Sequence, residues 1–411
     1  LLALVAQASR RLAAALTYRD FRLLWFGALV SSIGTWMQKV AQAWLIVTLT
    51  STASAFYLGL DAFIGEAPIL LFTLLGGVIA DRADRRRLLL ASQVVQMAAA
   101  FTLAALVFID RVAIWHILAL SFVTGVAQAF GGPAYQSLLP SLVPRETLPN
   151  AIALNSIQFN LARVIGPVLA GAALAAFGMV ACFGLNGLSF LVVIAALLAL
   201  HVTHVPAVQA LGLRDQLAGG LRYVRDQAQL RTLTLLGFVS AFLGLPLLTF
   251  LPIITRDVFQ QEVALYTRLM TVAGLGAVAG ALAVAWIGRH RHMGPMLLAC
   301  QGLLGLTMIA FSQSTSIVAS QLLLFAGGAL LVACFSLTTS LVQLLAPHEL
   351  RGRVVSIYMV AFRGGSPLGG LASGWLATMA GSAPPVLAVN GALLAMAALV
   401  VLARNHELRD A

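Results

Sequence analysis

The sequence predicts an all-α polytopic membrane protein: twelve transmembrane helices forming two pseudo-symmetric six-helix bundles. Three observations carry this. First, 60% of the 411 residues are apolar and 9% are charged, with a mean hydropathy of +0.96. Soluble domains run at roughly 45–50% apolar and about 25% charged, and so few charges cannot keep a water-facing surface in solution. Second, the apolar residues come in runs of about 20 or more, the length of a membrane-spanning helix, and not in the alternating segments of an outer-membrane barrel. Third, the two halves of the chain repeat one another.

Taken in chain order, the N-terminal segment 1–19 opens with residues 1–16, which are apolar but short and interrupted by Arg10 and Arg11, with no small-residue cleavage site. They read as an amphipathic helix on the membrane surface and not as a signal peptide. The sequence starts at Leu1 and not at methionine, so a preceding segment is expected. The N-terminal bundle, 20–200, then holds spans at 20–49, 53–80, 87–109, 112–143, 148–177 and 179–200. Several exceed the ~20 residues that a bilayer needs, which implies tilt or projection into water. The stretch 201–228 is the longest polar segment. Within it Leu213, Leu217, Leu221 and Val224 recur at helical spacing among Arg214, Asp215, Arg222 and Arg225, the pattern of an amphipathic surface helix linking the bundles. The C-terminal bundle, 229–403, holds spans at 229–255, 264–288, 294–313, 316–346, 349–380 and 383–403, and residues 404–411 form a tail.

With twelve spans, both termini fall on one side of the membrane. That side collects Arg10, Arg11, Arg19, Arg22, Arg82, Arg85, Arg86, Arg87, Arg145, Arg214, Arg222, Arg225, Arg231, Arg289, Arg291, Arg351, Arg353, Arg404 and Arg409, 19 of the 25 basic residues. The opposite side has Arg111, Arg256 and Arg268, while Lys39, Arg163 and Arg363 lie within spans. The positive-inside rule places both termini in the cytoplasm, as in a multi-pass protein of a bacterial cytoplasmic membrane. The net charge of +11 is thus topology information and not a nucleic-acid footprint.

The repeat has an offset of 200. Ser156-Ile157 and Ser356-Ile357, Arg163 and Arg363, and Pro167 and Pro367 correspond, and Pro144-Arg145-Glu146 matches Pro347-His348-Glu349 just upstream. Helices 4–5 therefore correspond to helices 10–11, as in two parallel six-helix repeats.

An ionisable side chain at mid-span costs about 2.5–3.5 kcal/mol on insertion scales, so each one needs a reason. In helix 1, Ser31, Thr35, Gln38, Lys39 and Gln42 share one stripe, and helix 5 offers Asn155, Ser156, Gln158, Asn160 and Arg163. A polar stripe in lipid must face protein or a water-filled cavity, so these residues, with Tyr358 and Arg363, are the candidate cavity lining. Interhelical hydrogen bonds are the competing reading for each uncharged one. Arg163 and Arg363, related by the repeat, are expected to attract anionic or carbonyl-rich substrate groups or to neutralise acidic partners, with structural bonds to backbone carbonyls the competing reading. Asp61 and Glu66 are the acidic residues within the spans proper, and Glu66 is the first candidate for carrying protons, with Asp61 the alternative. Lys39 and Glu66 stand at similar distances from the turn near residue 52, so they are expected to pair at one depth. Glycines 276, 280, 364, 365, 369, 370 and 374 suit close helix approach.

Several classes are excluded or disfavoured. The three cysteines, Cys182, Cys300 and Cys334, are scattered in apolar segments and form neither a metal motif nor a disulfide framework. There is no HExxH, no GxSxG and no GxxxxGK[ST], so no enzyme activity, no cofactor, no bound metal and no drive by ATP is expected.

Family resemblance enters through four motifs. The segment Gly77-Val78-Ile79-Ala80-Asp81-Arg82-Ala83-Asp84-Arg85-Arg86-Arg87 resembles the helix 2–3 signature loop of the major facilitator superfamily, with Asp84 where that loop has its last glycine. Gly166-Pro167-Val168-Leu169-Ala170-Gly171 is similar to the Gly-Pro antiporter motif of exporters, although Gln158 stands where an upstream glycine is usual. Phe21-Arg22-Leu23-Leu24-Trp25 with Gly34-Thr35-Trp36-Met37-Gln38, and Glu349-Leu350-Arg351-Gly352-Arg353-Val354, are similar to the exporter branch that includes macrolide efflux proteins and the enterobactin exporter. The resemblance implies two bundles rocking about a central site. It also implies a gating role for Gly77, Asp81, Arg82, Arg85 and Arg86, and proton-driven export of a small amphipathic molecule, drug-like or siderophore, by a monomer among membrane lipids. Import of a small metabolite, or a non-transporting scaffold, are the alternatives.

Overall fold

The computed structural model describes residues 14–51, 53–82, 84–201, 221–287, 292–347 and 349–404. Among them every regular element is helical. The long helices are α1 (Arg19–Leu49), α2 (Ser54–Arg82), α3 (Arg85–Phe108) and α4 (Ile114–Leu138). The continuous helix Leu148–Leu198 then breaks at Gly178, giving α5 (148–177) and α6 (179–198). Gly178 has a φ of +76°, in the left-handed region where a side chain would clash, so a glycine makes this reversal. In α7, Pro246 and Pro252 interrupt the backbone ladder, leaving the pieces Ala228–Gly244, Pro246–Thr249 and Leu251–Asp257. There follow α8 (Val263–Ile287), α9 (Met293–Gln313), α10 (Ile317–Leu345), α11 (Arg351–Met379) and α12 (Pro384–Arg404). Counting α5 and α6 apart and α7 as one gives twelve long helical segments among the described residues, besides short helical turns such as 221–226. Most ends fall within a few residues of the hydropathy spans; the exception is α4, whose continuation to 143 is a short 3₁₀ turn, Leu139–Leu142.

The chain forms two compact units: 1–45 with 64–208, and 46–63 with 209–411. The division follows the two halves except at 46–63, the end of α1 and the start of α2, which belong with the second.

In the first unit small residues set the helix crossings. A Cβ on Gly125 would fall on the Gly65 carbonyl, and one on Gly76 on the Ala129 carbonyl, so α2 and α4 touch backbone to backbone. Gly34 and Gly27 seat α1 against Asn186, Ser189 and Val193 of α6. Near one end a buried apolar cluster gathers Phe21, Leu24, Trp25, Leu89, Leu138, Phe190 and Leu197. Two arginines at that end cap α6. Arg86 donates to the Leu197 and Leu198 carbonyls at 2.5 and 2.6 Å, and Arg19 to that of Ala199 at 3.3 Å. A cation at the negative end of a helix dipole is favourable. Of the expected surface helix at 1–19, residues 14–17 form a 3₁₀ turn held by Ala15 N–H to Asn150 Oδ1 at 2.8 Å; residues 1–13 lie outside the described residues.

In the second unit α11 leans on α7, where Gly365 and Gly369 face the Phe238 and Phe242 backbone, and on the start of α2, where Gly374 faces Ala55. The expected close approach at Gly276 and Gly280 is to α10, at Phe325 and Ala329. Arg256 closes the end of α1, donating to the carbonyls of Val47 at 2.6 Å, Thr50 at 3.2 Å and Ser51 at 3.5 Å. Of the expected linker helix, residues 221–226 are helical, with Val224 buried in the core around Leu233, Leu297, Leu337 and Tyr358; 202–220 lie outside the described residues.

Candidate functional site

Helix α5 shows three faces. Ala151, Leu154, Gln158, Ala162, Gly166 and Ala170 point into the unit, while Ile157, Leu161 and Val168 form an exposed apolar face. Between them run Ile152, Ser156, Phe159, Asn160 and Arg163, a more open face on which the polar groups recur at steps of three and four. The inward face meets α1 at Gly166, where a Cβ would lie on that of Trp36 and 3.1 Å from the Ile33 carbonyl. The crossing brings two cations to Trp36. Lys39 Nζ lies 5.4 Å from the indole centroid and the Arg163 guanidinium 5.8 Å. Phe159 packs edge-on to the same ring at 6.1 Å. Trp36, Lys39, Phe159 and Arg163 thus form one cluster, and Asn160, whose amide donates to the Ser156 carbonyl at 2.8 Å, shares the open face.

The other candidate lining residues divide. Thr35 donates to the carbonyl of Ser31 one turn back, at 2.9 Å. Gln38 accepts from Asn186 of α6 at 2.6 Å, Gln42 donates to Ser121 of α4 at 2.9 Å, and Asn155 accepts from the Tyr135 hydroxyl at 2.8 Å. These bonds join helices within the first unit. Two expectations are corrected. Gln158 is 4% exposed and donates to the Ala28 carbonyl at 3.1 Å and Ser32 Oγ at 2.8 Å; it ties α5 to α1 and lines no open space. Tyr358, 1% exposed, packs against Gly237 in the core of the second unit, with Thr339 donating to its hydroxyl at 3.2 Å. Arg363 is exposed on α11, with no hydrogen bond or ion pair among the described residues.

Glu66 is half-buried on α2 and Asp61 lies one and a half turns before it, in the part of α2 that belongs to the second unit. The expected Lys39–Glu66 pair is absent: among the described residues no ion pair joins them, and Lys39 lies over Trp36 instead. Equal depth did not supply the rotation needed to bring the two charges together.

At the α2–α3 turn, Asp84 caps α3 by accepting from the backbone N–H groups of Arg86 at 2.9 Å and Arg87 at 3.2 Å. The residue that replaces the motif's last glycine therefore starts the next helix. Arg85 donates to the Ser137 carbonyl at 3.2 Å, and a Cβ on Gly77 would meet nothing within 4 Å. The side chains of Asp81 and Arg82 lie outside the described residues. In the antiporter-like motif, Gly166 makes the α1 contact, Pro167 is buried and Gly171 lies further along α5. No group of three or more His, Cys, Asp or Glu residues able to hold a metal occurs among the described residues.

Sequence reasoning missed Asn186 and Ser121, the partners of Gln38 and Gln42. Asn186, with Ser189, stands out in the apolar run of α6 and was the available signal there; Ser121 shares α4 with Thr124 and Gln128, and nothing in the sequence singles it out.

Comparisons with known proteins agree with this architecture. The chain is 28% identical over 399 residues to the multidrug efflux pump Tap of Mycolicibacterium fortuitum, covering 94% of this chain and 96% of that protein. It is 25% identical over 349 residues to the staphyloferrin A transporter of Staphylococcus aureus, covering 82% and 85%. To macrolide efflux protein A of Streptococcus pyogenes it is 24% identical over 358 residues, covering 82% and 84%. Among solved structures, a bacterial homologue of the human lysosomal transporter Spinster aligns with a TM-score of 0.75 at 15% identity, covering 95% of this chain and 98% of that one. The nucleoside transporter NupG aligns with a TM-score of 0.71 at 15% identity, covering 94% and 98%. These two share the fold. The model of the transmembrane secretion effector family matches residues 12–411, and the chain belongs to that family, a multi-pass membrane branch of the major facilitator superfamily.

Proposed function

We propose that the protein is a secondary active exporter that moves a small amphipathic molecule outward by alternating access, in exchange for protons and without ATP. The observation that carries the reading is the open polar face of α1 and α5, where Lys39 and Arg163 stand in the middle of apolar spans with no ion pair among the described residues. Charge so placed is costly to insert, and a wetted transport path repays it. The relatives support the direction, since two are efflux proteins by name. In this reading both termini are cytoplasmic, the α2–α3 turn with Asp81 gates that side, and the protein works as a monomer.

Glu66 is the proposed proton carrier and Asp61 its alternative. A carboxylate in a partly dry setting holds its proton more tightly than one in water, so a change of wetting between the two orientations of the cavity loads and unloads it. The experiment is proton-driven efflux in proteoliposomes, using a compound selected from a drug and siderophore panel in a strain lacking its own pumps. Glu66→Gln is expected to abolish uphill export while leaving downhill exchange, and Asp61→Asn to retain both. Uphill export by Glu66→Gln at the wild-type stoichiometry overturns the assignment.

A further inference from the structure

We infer that Trp36, Lys39 and Arg163 form a subsite for the anionic group of the transported molecule, and that its preferred substrates are amphipathic carboxylates carrying an aromatic or other flat apolar part. This rests on the transport reading above and names the substrate class.

The cluster has the parts such a ligand needs. An ammonium and a guanidinium approach one indole, at 5.4 and 5.8 Å from its centroid. Neither makes a hydrogen bond or ion pair among the described residues. Cation–π contact holds a cation in place but cancels none of its charge, so each cation keeps a positive charge beside the indole. A carboxylate accepting from either cation is the partner that neutralises it, and charge-assisted bonds of this kind are the strong ones. The apolar plate is beside it: Phe159 stacks edge-on to Trp36 at 6.1 Å and leaves 53% of its own surface open. The backbone fixes the spacing, because Gly166 lets α5 approach α1 at Trp36 more closely than any other residue would. Glu66, the acidic residue of the first unit's spans, is ion-paired to neither cation, and among the described residues no other carboxylate is either. A cationic ligand would meet the same two charges as repulsion, and a neutral one would gain only the plate.

The test uses the full-length protein in phosphatidylcholine nanodiscs, with equilibrium dialysis of radiolabelled 2-naphthoate and its methyl ester. The acid is expected to bind at least tenfold more tightly than the ester. Arg163→Gln and Lys39→Gln should each weaken the acid about tenfold and change the ester less than twofold. Lys39 is exposed, so its variant carries the test if Arg163→Gln fails to fold. Equal binding of acid and ester, or wild-type acid binding by Lys39→Gln, overturns the subsite. If phosphatidylglycerol at a tenth of the lipid abolishes the acid preference, the occupant is a lipid headgroup and the substrate assignment falls. Transport of the same probes separates this inference from the reading beneath it. Protein that moves the ester uphill without preferring the acid refutes the subsite and keeps the exporter. Protein that prefers the acid but moves neither probe refutes the exporter and keeps the subsite.

Discussion

At the scale of single residues, the buried amide side chains follow one rule with one exception. Gln158, Asn186 and Asn390 are each about 4% exposed or less, and each amide has a hydrogen-bond partner. Gln301 on α9 is fully buried, and neither its amide nitrogen nor its oxygen has a partner among the described residues. An unsatisfied buried amide costs about 1–3 kcal/mol, while an unbranched apolar side chain of similar volume removes the cost and keeps the packing. Gln301→Met is therefore expected to raise the apparent Tm of the detergent-solubilised protein by a few degrees, measured by intrinsic tryptophan fluorescence. A lowered Tm would show that the amide has a role in holding the fold. The residue scale is also where sequence reading reached least far. Hydropathy marks Gln158 and Tyr358 as polar groups in a span. Whether such a group turns inward depends on a partner on another helix, and pattern alone does not name that partner.

At the scale of helices, glycines decide which surfaces can touch. The packing in α11 shows this most clearly, since a methyl group on Gly369 would fall on the carbonyl of Phe242 in α7. Gly77 in α2 is the contrast, a glycine in a helix with nothing within 4 Å of its missing Cβ. Gly369→Ala is expected to separate α11 from α7 and to lower folded yield in the membrane. Gly77→Ala is expected to leave yield and Tm unchanged or slightly raised, because alanine is favoured over glycine inside a helix by roughly 0.5–1 kcal/mol. Size-exclusion profiles of the two variants check this, and a Gly77→Ala protein that misfolds would show that the glycine is packed. If Gly77→Ala folds normally but transports poorly, its small size matters in the transport cycle and not for stability. The glycine spacings were legible in the sequence, and their use as close contacts was anticipated. Their partners were not, because spacing along one helix does not say which neighbour it meets.

At the scale of the whole molecule, the distribution of arginines predicts one orientation. On the twelve-span reading 19 of 25 basic residues fall on the side of the termini, and by the positive-inside rule that side is expected to be cytoplasmic. Single cysteines placed in a protein freed of Cys182, Cys300 and Cys334 test this with a membrane-impermeant maleimide. Val112→Cys and Gln261→Cys should label in intact cells, and Gln227→Cys only after lysis. Labelling of Gln227→Cys from outside would invert the topology.

The class, the order and approximate ends of the helices, the repeat between the halves and the family all follow from the amino-acid sequence, because a bilayer imposes length and hydropathy on each span independently of its neighbours. Packing settled the rest. It assigned residues 46–63 to the second unit, turned Gln158 and Tyr358 inward, gave Asp84 a capping role, and set Lys39 over Trp36 instead of beside Glu66. Each of these depends on how a helix is rotated and on what packs against it, and rotation is set by contacts between segments remote in sequence, which no local pattern encodes.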